Sequence, residues 1–187
     1  MLNSGEGIAQ MGARHVFVDE SMRAGYLLVA AVVVPQDIST MRRGIKDLIE
    51  PGQRRLHMVK ESPRRRRLIL NRLTDLGVSA TIYEAGANHK TNIARRRACL
   101  EQLVIDAIAG GEARLCLETA DGVDQRDQQQ LVELVRHLGC RDALTYEHAH
   151  ASQELLLAAP DAIGWAWTKG GEWKQRARPL VTSVVPV

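Results

Sequence analysis

Apolar and polar positions along the chain predict strands and helices in alternation. Residues 14–20 are rich in β-branched and aromatic side chains and predict a first strand, with "SMRAG" as the turn that follows. The run "GYLLVAAVVVP" carries a second strand over residues 26–34, apolar on both faces and therefore buried. Pro35 breaks that strand, and "DISTMRRGIKDLIE" predicts a helix capped by Asp37 or Ser39 and stopped by Pro51-Gly52. After the irregular piece "RRLHMVKES", Ser62-Pro63 opens a helix to about residue 76, with Leu68, Ile69, Arg72, Leu73 and Leu76 at helical spacing and Gly77 as its stop. Residues 78–85 alternate as a third strand. Residues 91–109 form the clearest helical pattern, with Ile93, Leu100, Leu103, Val104, Ala107 and Ile108 on one face and Gly110-Gly111 behind it. A strand over 113–118, a turn at "TADGVD", a helix over 125–138 ended by Gly139 and a strand over 143–147 come next. The last long helix is expected over 152–167, interrupted or restarted at Pro160, and "PLVTSVVPV" reads as a short closing strand or tail.

Strands that alternate with helices predict an α/β protein, a mixed sheet with helices on both faces. If the third strand completes the opening meander, the order of elements is that of an RNase H-like fold with a helical insertion after the second strand. A flavodoxin-like or other doubly wound sheet would need only small changes. Residues 13–187 are expected to form one domain of this kind behind a flexible head at 1–12. A length of 187 residues with 45% hydrophobic residues is enough for one sizeable core and cramped for two.

Charge adds a candidate partner. The net charge of +3 is small, but arginines cluster at 42–43, 54–55, 64–67 and 95–97, and a guanidinium fork suits phosphate. Arg64, Arg65, Arg95 and Arg96 are the candidates for contact with the backbone of RNA or DNA, although any one run also reads as a solvated helix face. Cys99, Cys116 and Cys140 are odd in number, widely spaced and never in a C-x-x-C pair, so neither a disulfide framework nor a zinc knuckle is indicated. No secretory signal pattern stands at the start, and no apolar run approaches the ~20 residues of a membrane span. A cytoplasmic protein without membrane contact is expected. The apolar hairpin and the tryptophans leave room for a homodimer.

Candidate chemistry rests on carboxylates. "HVFVDES" ends the first strand on Asp19 and Glu20, and Glu118 ends a strand that would lie beside it. Parallel neighbours present their carboxyl ends at one sheet edge, where α/β sites form. Asp161 lies on the last helix in the otherwise apolar "LLLAAPDAIGWAW", where an acid is unfavourable unless paired. It also reads as a first-turn residue favoured by the helix dipole. Asp19, Glu118 and Asp161 converging from distant elements would make a hard-cation site for Mg²⁺ or Mn²⁺. Two such ions, ~3.5–4 Å apart, would serve phosphodiester hydrolysis. No Walker A, G-x-S-x-G, H-E-x-x-H or G-x-G-x-x-G pattern competes with this reading. Glu20, His57, Lys60, Asp121 and His150 are possible accessory residues. Lys60 reads equally as a phosphate contact and as part of a plain loop, and His150, after the fifth strand in "YEHAHAS", also reads as a satisfied surface histidine.

The segments "VFVDES", "YLLVAAVVV", "LHMVKESPRRRRLILNRL", "LLLAAPDAIGWAW" and "WKQRARPLV" resemble the bacterial family called domain of unknown function 3800, over most of the chain. The resemblance implies an RNase H-like fold and nuclease activity. It carries the family's D-E-S start onto Asp19, Glu20 and Ser21, its middle histidine onto His57, and its last-helix aspartate onto Asp161. Two positions depart from the family's L-L-Q-x-A-D pattern, with Ala158 in the glutamine position and Pro160 in the alanine position. The first expectation is therefore a metal-dependent RNase H-like nuclease. A non-catalytic nucleic-acid- or protein-binding module on the same fold is the alternative, and a small-molecule phosphohydrolase is a third.

Overall fold

The computed structural model describes residues 13–22, 25–119 and 122–187. The expected head at 1–12 and part of the "SMRAG" turn lie outside them. Strands β1 (Arg14–Ser21) and β2 (Tyr26–Val33) form an antiparallel hairpin, and β3 (Ser79–Ala85) continues the meander against β2. Strand β4 (Ala113–Glu118) lies parallel to β1, and β5 (Leu144–Ala149) parallel to β4. The closing strand β6 (Val181–Pro186) adds parallel to β3, giving one six-stranded mixed sheet in the order β5-β4-β1-β2-β3-β6. A three-strand meander extended by two strands parallel to its first member is the RNase H-like order, here with a sixth strand at the far edge.

Helices α1 (Ile38–Lys46) and α2 (Pro63–Asp75) form the insertion between β2 and β3. Helix α3 (Asn92–Ala109) joins β3 to β4, and α4 (Asp124–His137) joins β4 to β5. Helices α5 (Ala158–Lys169) and α6 (Gly171–Ala177) follow β5. The strand period of two sorts the sheet into two faces. Phe17, Val29 and Cys116 face a core shared with α1, α2 and α5, while Val18, Leu28 and Leu117 face a second core shared with α3 and α4. β2 serves both cores, with Leu28, Val29 and Ala31 fully buried, as its unbroken apolar run requires.

One expected start signal, Ser62, acts where the sequence placed it. The Ser62 side chain accepts from the Arg65 amide and Thr91 from the Ala94 amide, so α2 and α3 begin at capped serine and threonine. Asp37 makes no such bond, and α1 ends at Lys46, short of the expected Pro51, in turn hydrogen bonds at Leu48 and Ile49. The last helix begins later than expected. A single 3-10 turn at Leu155–Leu157, capped by Glu154, precedes α5. Pro160 then falls in the first turn of α5, where its missing N–H has no partner to lose. Leu68 and Ile93, assigned to apolar faces by spacing, are 51% and 58% exposed. Trp165 and Trp167 are buried, and Trp165 meets Trp173 edge-on at 5.3 Å. No helix among the described residues is long and apolar enough to cross a membrane.

One close approach fixes α5 against the sheet. A Cβ on Gly164 would stand 3.2 Å from Val29 Cγ2 and 3.3 Å from Ser21 Cβ. Ser21 Oγ and Thr168 Oγ1 also meet at 3.3 Å one turn further along. Gly164→Val is expected to push α5 outward and to destabilise the protein by about 1–3 kcal/mol, the usual range for overpacking. Urea unfolding measures it, and an unchanged midpoint would show that the helix seat is soft.

Candidate active site

The pairing of β1 with β4 runs to Val18 opposite Leu117, so Asp19 and Glu118 stand at the next step, at the carboxyl ends of neighbouring parallel strands. Strand alternation places both with Phe17 and Cys116, on the face covered by α5. There they share a pocket of about 230 Å³ with Ser21, His57, Asp161 and Trp165. Acids from three distant elements thus face one space.

Each acid is held differently. Asp19 Oδ1 accepts the amide of Glu20 at 2.7 Å. Burial, and next the charges of Glu118 and Asp161, push its carboxyl well above the ordinary value of 3.8. Glu118 is ion-paired with Arg55, which comes from the insertion. Asp161 lies in the first turn of α5 but does not cap its own helix. Its Oδ2 accepts the Met58 amide at 2.9 Å, and its Oδ1 lies 3.5 Å from His57 Nδ1. That distance is long for a hydrogen bond, and His57 Nδ1 is buried without a hydrogen-bond partner among the described residues. Among the described residues no group of three His, Cys, Asp or Glu side chains already stands in metal-ligand geometry.

Glu20 also lines that pocket, but its carboxylate turns the other way. The same alternation that turns Asp19 toward α5 turns Glu20 toward α3, where it accepts from Tyr26 Oη at 2.7 Å and from Arg96 Nη1 at 2.6 Å. Arg96 also grips Asp127 of α4 through Nε at 2.8 Å and Nη2 at 2.6 Å. His148 Nε2 stands 3.4 Å from Asp127 Oδ2. Burial disfavours the charge on Asp127, but hydrogen bonds from His148 and Arg96 outweigh it and hold the carboxyl below its usual value.

This corrects the expected role of Arg96. It is buried, 7% exposed, and its fork is spent on Asp127 and Glu20, so it does not face a nucleic-acid backbone. Arg65 is likewise internal bracing, bonded to Glu61 at 3.2 Å, to Glu50 at 3.3 Å and to the Leu48 carbonyl. Arg95 is half-buried and donates to the His89 carbonyl and to Asn92. Arg64 is exposed on α2. The neighbouring Arg66 and Arg67 lie over Trp165 and Trp173, at 4.3 and 5.5 Å from the ring centroids. Lys60 and His150 line a second, larger hollow beside the acids, together with Arg54 and Arg55. Asp121 lies outside the described residues. Sequence reasoning missed Arg55 and Asp127 as partners. They are separated from Glu118 and Arg96 by 63 and 31 residues, and no local spacing signals such pairs.

No protein-family model matches the chain, and no curated protein matches it.

Proposed function

We propose that the protein is a metal-dependent phosphodiesterase acting on nucleic acid, a nuclease on an RNase H-like frame. The observation that carries this reading is the crowding of Asp19 against Glu118 and Asp161 in one pocket at the carboxyl ends of β1 and β4. Like charges brought together raise one another's proton affinity, and a bound cation relieves that repulsion. The donors are carboxylate oxygens, with the unpartnered His57 Nδ1 at the rim, so the residues fit a hard divalent ion such as Mg²⁺ or Mn²⁺. Asp19, Glu118 and Asp161 would hold it, Glu118 after leaving Arg55. When bound, such an ion supplies Lewis-acid polarisation of the phosphodiester and a more acidic attacking water. The chain's own groups do the rest. Asp19 and Asp161 accept hydrogen bonds from the attacking water and orient it, and Arg55 neutralises the phosphate. The D-E-S start and last-helix aspartate behind the resemblance to domain of unknown function 3800 are the same residues.

A second reading has its own observation. Arg55 on Glu118, and the Met58 amide on Asp161, already satisfy two of the acids with protein donors. A binding module on the same fold would keep this arrangement. Labelled single-stranded RNA, single-stranded DNA and RNA–DNA hybrid, each incubated with Mn²⁺, Mg²⁺ or EDTA, separate the two. Cleavage that requires the metal is expected. Retention of the strands without cleavage, equal in metal and EDTA, would replace the nuclease with the module.

A further inference from the structure

Next to the acid pocket lies a bowl of about 720 Å³ whose wall includes Arg54, Arg55, His57, Lys60, His150 and Ser152. Its size falls within the about 300–1,000 Å³ of small-ligand sites. One side comes from the insertion between α1 and α2, and the other from the end of β4 and the connection from β5 to α5. Two acids also line it, and both are already neutralised. Glu61 is buried and accepts from Gln53 at 3.1 Å and Arg65 at 3.2 Å, and Glu118 is held by Arg55. Arg54 and Lys60 are exposed on its wall and have no ion-pair partner among the described residues. Cations lining a concave wall concentrate positive potential there. Guanidinium, ammonium and hydroxyl donors around one hollow match the oxygens of a phosphate group.

The geometry points to a phosphate subsite: the bowl takes the phosphate of the nucleotide next to the scissile bond, with Arg54 and Lys60 as its principal contacts. This rests on the nuclease reading for its place in a reaction, because His57 and Glu118 line both the bowl and the acid pocket. A strand with its reacting phosphate at Asp19 runs directly into the bowl. The position of Arg55 on the boundary makes it the residue that changes partners. A phosphate arriving in the bowl competes with Glu118 for the same guanidinium, and so leaves Glu118 available to a cation.

Binding in EDTA tests the subsite without calling on hydrolysis. Adenosine 5′-monophosphate, inorganic phosphate and unphosphorylated adenosine are titrated into the protein and followed by amide NMR shifts. Saturable shifts around residues 52–60 and 150–152 are expected with the monophosphate and with inorganic phosphate, and none with adenosine. The paired substitution Arg54→Gln and Lys60→Gln, both at exposed positions, should weaken monophosphate binding about tenfold or more, the scale of charge-assisted contacts. Binding of adenosine as strong as that of the monophosphate, no binding of either phosphate, or full affinity in the paired variant would overturn the subsite. Metal-dependent cleavage without phosphate binding would leave the nuclease standing and remove the bowl. Phosphate binding without cleavage would do the reverse.

Discussion

Asp19→Asn is expected to abolish strand cleavage and to make the fold more stable at neutral pH. On the proposed nuclease reading, the first effect follows from removing a carboxylate that would hold the cation, a charge worth several kcal/mol in the transition state, on the order of 10³-fold in rate. The second follows from burial and from the charges of Glu118 and Asp161, which favour the protonated Asp19 in the folded state. A folded chain that binds this proton more tightly than the unfolded chain is most stable in acid. That stability falls as the pH rises from about the ordinary value of 3.8 through the raised folded value. Asparagine has the shape without the charge, so its advantage over the parent should be largest at neutral pH and vanish below pH ~3.8. Urea midpoints at a series of pH values, beside a cleavage assay, measure both effects. Equal activity would remove Asp19 from the chemistry, and lower stability at neutral pH would show that its charge is satisfied.

Arg96→Ala should produce the largest loss of stability of any single change considered. It strips a buried guanidinium from Asp127 and Glu20, whose carboxylates then lose their main partner. Breaking a buried pair from one side usually costs about 3–5 kcal/mol, and at about 2–4 °C per kcal/mol for a chain of this size the melting temperature drops by about 10 °C. A double-mutant cycle with Asp127→Ala is the sharper test. The double variant should be less destabilised than the sum of the singles, because neither leaves the other charge buried alone. Strict additivity would mean the pair is solvated after all. The pH dependence has the opposite sign to that of Asp19. Asp127, held below its usual value, contributes stability above the ordinary aspartate range and loses it as the pH falls through its folded value.

Much of this architecture was legible in local signals. The limits of α2 could be read because Ser62-Pro63 opens it and glycine follows its end, and α3 from its apolar face and the glycines behind it, while the Thr91 cap came only with the structure. The acid end of β1 and its neighbour at Glu118 could be read because strand order alone places parallel carboxyl ends together. α6 was not anticipated, since seven residues beginning with glycine carry too little periodicity to register. The arginine run at 95–97 misled for a physical reason. A charged residue on a helix faces water by default, and only the arrival of Asp127 and Glu20 from other elements makes burial of Arg96 affordable in energy. Consecutive acids in "VFVDES" presented the same difficulty. The sequence shows two carboxylates, and the pleat assigns them to opposite faces of the sheet, one to the pocket and one to the brace.

The central strand β1 pairs on one side with its immediate successor and on the other with β4, a strand about a hundred residues later. A hairpin closes in microseconds, whereas a parallel pairing over such a separation is slow. The crowding of Asp19 against Glu118 therefore arises only when β4 docks beside β1. The electrostatic strain of the site is thus a property of the completed sheet, which the β1–β2 hairpin by itself does not carry.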